Sequence, residues 1–164
     1  MPDPIGRPKL YPKQVGDAGE HFVAAEIHRR GGYAVTFSGN MKGIDLLASD
    51  STNSRKISIQ VKSKSKSKSD WHANVGRDSH QRVADPLEEK FWIFVDLEPE
   101  HPKFYIAPAW WVENDIFENH KAYLARHGGV RAHSPDSQHH AVQPKRLEQW
   151  AERWEILGIF PTTD

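Results

Sequence analysis

The chain has 164 residues, 37% of them apolar and 27% charged, with lysine plus arginine equal to aspartate plus glutamate at 22 each; these figures fit one polar globular domain and exclude a strongly disordered chain. Because the charges balance, only their local placement can indicate a polyanionic partner. Cysteine is absent, which removes disulfides and thiolate metal sites, and no leader-like opening or run near the ~18 apolar residues of a membrane span is visible, so the expected location is cytoplasmic.

Residues 1–13, broken by Pro2, Pro4, Gly6, Pro8 and Pro12, read as an extended arm. From Gln14 to Arg30 the apolar positions Val15, Phe22, Val23 and Ile27 recur at helical spacing, and Gly31-Gly32 stops the helix. Three strands are predicted next. Tyr33–Phe37 alternates, Gly43–Ala48 is an apolar run holding one acid, and Arg55–Lys62 alternates with Ile57, Ile59 and Val61 on one face. The polar turn between the second and third suggests a hairpin. Residues 63–69 alternate serine with lysine, and 71–90 read as loop with one short helix at most. Phe91–Leu97 is apolar enough for the middle of a sheet, and Phe104–Pro108 is its expected hairpin partner. A helix is predicted over Trp110–Leu124, a loop over 128–143, and a last amphipathic helix over Leu147–Leu157. The order implies an α/β layered domain with a mixed sheet, whose core is residues 14–124 and whose remainder, 125–164, packs on the same domain.

Three polar residues stand where chemistry is expected. Asp45 lies inside Ile44-Asp45-Leu46-Leu47-Ala48, and an acid in an apolar strand is costly without a partner. Gln60 and Lys62 are two apart, so they share a face of the third strand. Pairing of the second and third strands would bring Asp45 beside them. Glu20, next to the packing positions Gly19 and Val23, could lean over the end of the sheet or be an ordinary surface residue of the helix. Asp45 could equally be a strand-edge acid, and the Gln60–Lys62 face a solvated one.

The series Gly16-Asp17-Ala18-Gly19-Glu20, then Gly43-Ile44-Asp45, then Ile59-Gln60-Val61-Lys62 resembles the PD-(D/E)xK nuclease superfamily, in particular its Holliday junction resolvase and Mrr-like branch. The resemblance implies a restriction-endonuclease-like αβββαβ core, its mixed central sheet flanked by helices. It implies a divalent-metal-dependent DNA endonuclease using Mg2+ or Mn2+, with Asp45, Gln60, the Val61 carbonyl and Glu20 as metal contacts. Lys62 would orient or deprotonate the attacking water. Magnesium suits this set because it prefers hard oxygen ligands. Gln60 departs from the usual carboxylate and removes one negative charge. The same fold without catalysis, as a module binding nucleic acid or protein, is therefore the alternative; a nuclease toxin domain or its partner is a third. Relatives of this type commonly act as homodimers.

Lys64, Lys66 and Lys68, with Arg77 beyond them, would supply sequence-independent phosphate contacts, the alternative being a soluble tether in which only Lys62 is structural. Arg82 and His80 could extend that surface. Trp71 could stack on a base or anchor a loop. His133, His139 and His140 are read as loop residues rather than zinc ligands, and the other tryptophans as packing residues.

Overall fold

The computed structural model describes residues 6–74, 82–131 and 139–162. Helix α1 spans Pro12–Arg29, two residues earlier than the apolar spacing predicts. Pro12 occupies the first helical turn, where its missing N–H costs nothing. The helix buries Gly19, Val23 and Ile27, one residue per turn, and Gly31 ends it in the left-handed conformation, with φ of 90°. The preceding arm is tied down by Arg7, whose guanidinium donates to the Leu97 carbonyl at 2.7 Å.

Strands β1 (Tyr33–Met41), β2 (Ile44–Ser49) and β3 (Lys56–Lys64) follow, then β4 (Trp71–Asn74), β5 (Lys90–Asp96) and β6 (Lys103–Pro108). Helix α2 covers Ala109–Arg126 and strand β7 covers His139–Val142. Five strands make the central sheet in the order β1-β2-β3-β5-β6, while β4 and β7 form a separate antiparallel ribbon. Only β3 and β5 run parallel in the central sheet, so it is mixed. This is the α/β architecture expected from the element order. The connection between β3 and β5 differs from the predicted loop: among its described residues it holds β4 and no helix.

The sheet has a packed layer on each side. One contains Val23 and Ile27 of α1 with Leu46, Ile59, Ile93, Val95 and Leu157; the other joins Phe94, Trp71, Val112, Ile116 and Leu147. Strand β5 feeds both layers, Phe91, Ile93 and Val95 going one way and Phe94 the other, which explains its continuous apolar run. The second layer does not reach β1 and β2, where Tyr33, Val35 and Leu47 are exposed.

The predicted C-terminal helix is absent. Residues 144–157 form three short 3-10 turns, Pro144–Arg146, Glu148–Trp150 and Trp154–Leu157. The last two are separated by an extended Ala151 and a left-handed Glu152, with φ of 54°. The cause is tertiary: Ala151 bridges Tyr105, and the Glu152 N–H donates to the Phe104 carbonyl at 2.9 Å, so this stretch lines the outer edge of β6. Arg55 clamps the end of the chain by donating to the Leu157 carbonyl at 3.0 Å and the Glu88 carbonyl at 2.9 Å.

Candidate functional site

Strands β2 and β3 pair from Ser49↔Lys56 as far as Leu46↔Ile59. One step further, antiparallel register sets Asp45 opposite Gln60, and here the ladder gives way to a side chain. The Asp45 carboxylate accepts a hydrogen bond from the Val61 backbone N–H at 2.6 Å. A charge-assisted bond of this kind satisfies a backbone donor and fixes the carboxylate in the gap between the two strands. The acid inside an apolar strand thus has its partner.

Helix α1 crosses the same place. A Cβ on Gly19 would come within 2.9 Å of the Ser63 Cβ and closer still to its Oγ, so only glycine lets the helix approach β3 this tightly. The close approach delivers Glu20 to the neighbourhood of Asp45. The Glu20 carboxyl is held above the ordinary glutamate value, first by burial, then by the charges of Asp45 and Asp17; His21 and Lys13 oppose this more weakly. Asp45 is thus near enough for its charge to bear on the Glu20 carboxyl. Among the described residues no group of three or more His, Asp or Glu side chains is placed to hold a metal ion. The acids near this point are Asp45 and Glu20, while Gln60 follows Ile59 on β3 and stands opposite Asp45 by continuation of the register.

Alternation along β3 buries Ile57, Ile59 and Val61 on the α1 side and leaves Gln60 and Lys62 half-buried on the other. In the parallel pairing Gln60 lies beside Trp92 and Lys62 beside Phe94. The Lys62 ammonium stands 5.9 Å from the Trp92 ring centroid, within reach of a cation–π attraction. Trp92 stacks at 5.9 Å on Phe94. Asp45, Gln60 and Trp92 thus form a row across β2, β3 and β5. Trp92, a packing residue by sequence, borders the site; its one signal was a position inside the most apolar strand, where a half-buried tryptophan next to a lysine-bearing strand is legible only once the register is known.

Lys64 requires a correction. It was predicted to face phosphate, but it is 5% exposed. Its ammonium donates to the Ser67 and Ser69 carbonyls, both at 2.7 Å, lies 3.9 Å from the Asp96 carboxylate and sits 4.0 Å above the Trp71 ring. Burial pushes its pKa down, against the pull of Asp96, Asp70 and Glu98. Lys62 is therefore not the sole structural lysine of the run. Trp71 is corrected too: it is 1% exposed, its indole N–H donates to the Val95 carbonyl at 3.0 Å, and it packs edge-on to Phe94 and Tyr105, so it cannot stack on a base. Lys66 and Lys68 remain exposed. Arg77 and His80 fall outside the described residues. Arg82 is engaged internally, by Glu88 at 3.0 Å and Glu113 at 3.1 Å, rather than presented as free basic surface.

A cavity of about 340 Å³ lies elsewhere, among Arg55, Glu88, Phe91, Trp110 and Trp150. None of Glu20, Asp45, Gln60 or Lys62 lines it.

No family model matches the chain, and neither does any curated protein. Among solved structures, the chain is similar to a bacterial homing endonuclease, I-Ssp6803I, at 16% identity and a TM-score of 0.50. The likeness covers 92% of this chain and 94% of that one. At that identity it speaks to the fold alone: a nuclease-like arrangement along nearly the whole chain. No helix among the described residues is long and apolar enough to cross a membrane.

Proposed function

We propose that the chain is a divalent-metal-dependent endonuclease of the PD-(D/E)xK type acting on DNA. The observation that carries the reading is the Asp45 carboxylate fixed on the Val61 N–H at 2.6 Å, where β2 and β3 part. Glu20 adds to the same negative field. The charge of Asp45 raises the cost of ionising Glu20, and Mg2+ or Mn2+, which take hard oxygen donors, would relieve that like-charge repulsion. Asp45 and Glu20, with the Gln60 amide oxygen and the Val61 carbonyl, would hold the ion. When bound, it would lower the pKa of a water and neutralise charge on the phosphate.

The chain's own groups do the rest. Lys62, flanked by Trp92, offers an ammonium to orient the attacking water and to meet charge as it develops on the phosphoryl oxygens. Lys66 and Lys68 are exposed in the turn after β3 and would track the backbone of the substrate by salt-sensitive contacts. The open face of β1 and β2 leaves room for a long polymer, and the fold likeness to a homing endonuclease agrees with that substrate class. A homodimer would let two such sites address two strands.

Incubation of the purified protein with duplex, branched and single-stranded DNA and Mg2+ or Mn2+ tests the reading. Cleavage is expected that needs the metal and disappears in Asp45→Ala and Lys62→Ala. Absence of cleavage on all three substrates would overturn it. In that case the second reading holds, a nucleic-acid- or protein-binding module on a nuclease fold. Its support is Gln60, an amide at a position where a carboxylate would complete an acidic triad.

A further inference from the structure

The oxygen-rich centre on β2 and β3 uses none of the chain's ten histidines. Several of them gather on the β4–β7 ribbon instead. The register His72↔Ala141 and Asn74↔His139 places His72 and His139 diagonally across the two strands. Trp71, Ala73, His140 and Val142 turn their side chains into the protein, so His72 and His139 share the ribbon's exposed face. There His139 Nε2 lies 2.7 Å from His72 Nδ1, with the rings stacked 4.6 Å apart at 24°.

Two imidazole nitrogens that close have two stable options: they share one proton, or they share a cation. A shared proton satisfies one lone pair and places a second proton beside the first if the pH falls. A cation uses both lone pairs at once. Partial burial first, then His72 and Arg131, lower the His139 pKa from the ordinary histidine value. Neutral imidazole is the form that ligates metal.

From this geometry we infer that His72 and His139 form a surface site for a borderline transition-metal ion of the Zn2+, Ni2+ or Cu2+ class. Imidazole nitrogen suits these ions and not Mg2+. Two nitrogens at ~2.0–2.1 Å from one tetrahedral ion stand roughly 3.3 Å apart, so the pair opens by a few tenths of an ångström. Both residues are exposed on that face of the ribbon. Among the described residues the site has two protein ligands, fewer than the three or four side chains of a tight site. The Arg131 charge weakens it further. Its consequence is structural. A two-stranded ribbon is marginal by itself, and a metal bridge would cross-link β4 to β7 near the end where Asn74 pairs with His139.

Thermal unfolding of the whole protein with Ni2+ or Zn2+ tests this independently of any nuclease activity. A rise in Tm of several degrees is expected at metal well above Kd, with none from Mg2+ at the same concentration. His72→Gln and His139→Gln should each remove the rise, while His101→Gln, an exposed histidine in the turn between β5 and β6, should keep it. Cu2+ added to the wild-type protein should give an electron paramagnetic resonance spectrum with coupling to two nitrogens, lost in either variant. No metal-dependent rise, or a rise that survives in both ribbon variants, overturns the site. Metal-dependent DNA cleavage should be the same in the ribbon variants as in wild type, so failure here and failure of the nuclease reading are separate results.

Discussion

Around β5 and β6 the central sheet is covered on both faces, by α1 and the C-terminal turns on one side and by α2 and the ribbon on the other. Around β1 and β2 only the α1 side is covered. Strand β3 runs along the border, and its lysines show what the border does. Lys62 and Lys64 point from the same face, two residues apart. Lys62 meets the rim of Trp92 and keeps its ammonium half in solvent, whereas Lys64 is closed in by Trp71, Asp96 and two backbone carbonyls. The same residue type is thus left half-open on one side of the border and built into the architecture on the other. What decides is the layer packed above it.

The comparison breaks most sharply at Asp45. Asp45→Ala should lower DNA cleavage by about 10³-fold or more, equivalent to roughly 4 kcal/mol of lost transition-state stabilisation. Its cost in unfolding free energy should be about 1.5–3 kcal/mol, that of one hydrogen bond to a charged group. Single-turnover cleavage and urea unfolding measure the two quantities. The balance moves towards stability at Lys64. Lys64→Ala leaves Asp96 buried without its cation and should destabilise the protein by about 3 kcal/mol, with cleavage per folded molecule reduced far less than by Lys62→Ala.

A third test uses pH on the closed half. His140 is buried beside Arg146, whose Nη2 lies 3.0 Å from its Nε2, while the same guanidinium is held by Asp115. Burial, then Arg146, His120, Arg131 and His139, push the His140 pKa down to about 4. A histidine kept neutral in the folded state loses stability as the unfolded chain takes up its proton. Stability should therefore fall from about pH 6.5 towards pH 4 and level off below that, by on the order of 2–3 kcal/mol. His140→Gln should flatten this slope in a pH series of denaturant midpoints.

The smallest effect belongs to the open half. Glu20 is raised, so in metal-free protein its ionisation is disfavoured by folding. Its contribution is favourable below the ordinary glutamate value and is lost as pH rises through the raised one. Glu20→Gln should then increase Tm slightly at pH 7 and leave it unchanged near pH 3. Adding Mg2+ should reverse the order of the two proteins if Glu20 helps to hold the ion. Equal Tm values at pH 7 with and without metal would separate Glu20 from the site.

Much of this arrangement was legible in the residues. The 3.6-residue spacing of Val23 and Ile27, the period-two pattern of Ile57, Ile59 and Val61, and the acid inside Ile44–Ala48 are local signals, and each matched a local element. Lys64 and Trp71 were not legible. Alternation put Lys64 on a polar face, and what buries it is a tryptophan on β4, held in place by pairing with β7 far along the chain. Trp150 and Trp154 misled in the opposite way. Four residues apart, they read as one face of a helix, yet Trp150 packs against Trp111 in the second layer and Trp154 lies in the first. Only a broken, extended path can serve both layers, and the bridge to Tyr105 supplies it. The Asp45–Val61 bond was half legible: the register could be anticipated, but not that a side chain would replace the ladder.

The candidate centre draws its groups from one uninterrupted stretch, α1 through β3, while the parallel partner β5 arrives only after the long excursion through β4. Contacts close in sequence carry little loop-closure entropy, and parallel pairing across a crossover carries more. During refolding, amides of β1 to β3 should gain exchange protection before those of β5 and β6. The acids and the amide would then be assembled early, and the slow events would be those that roof the far side of the sheet.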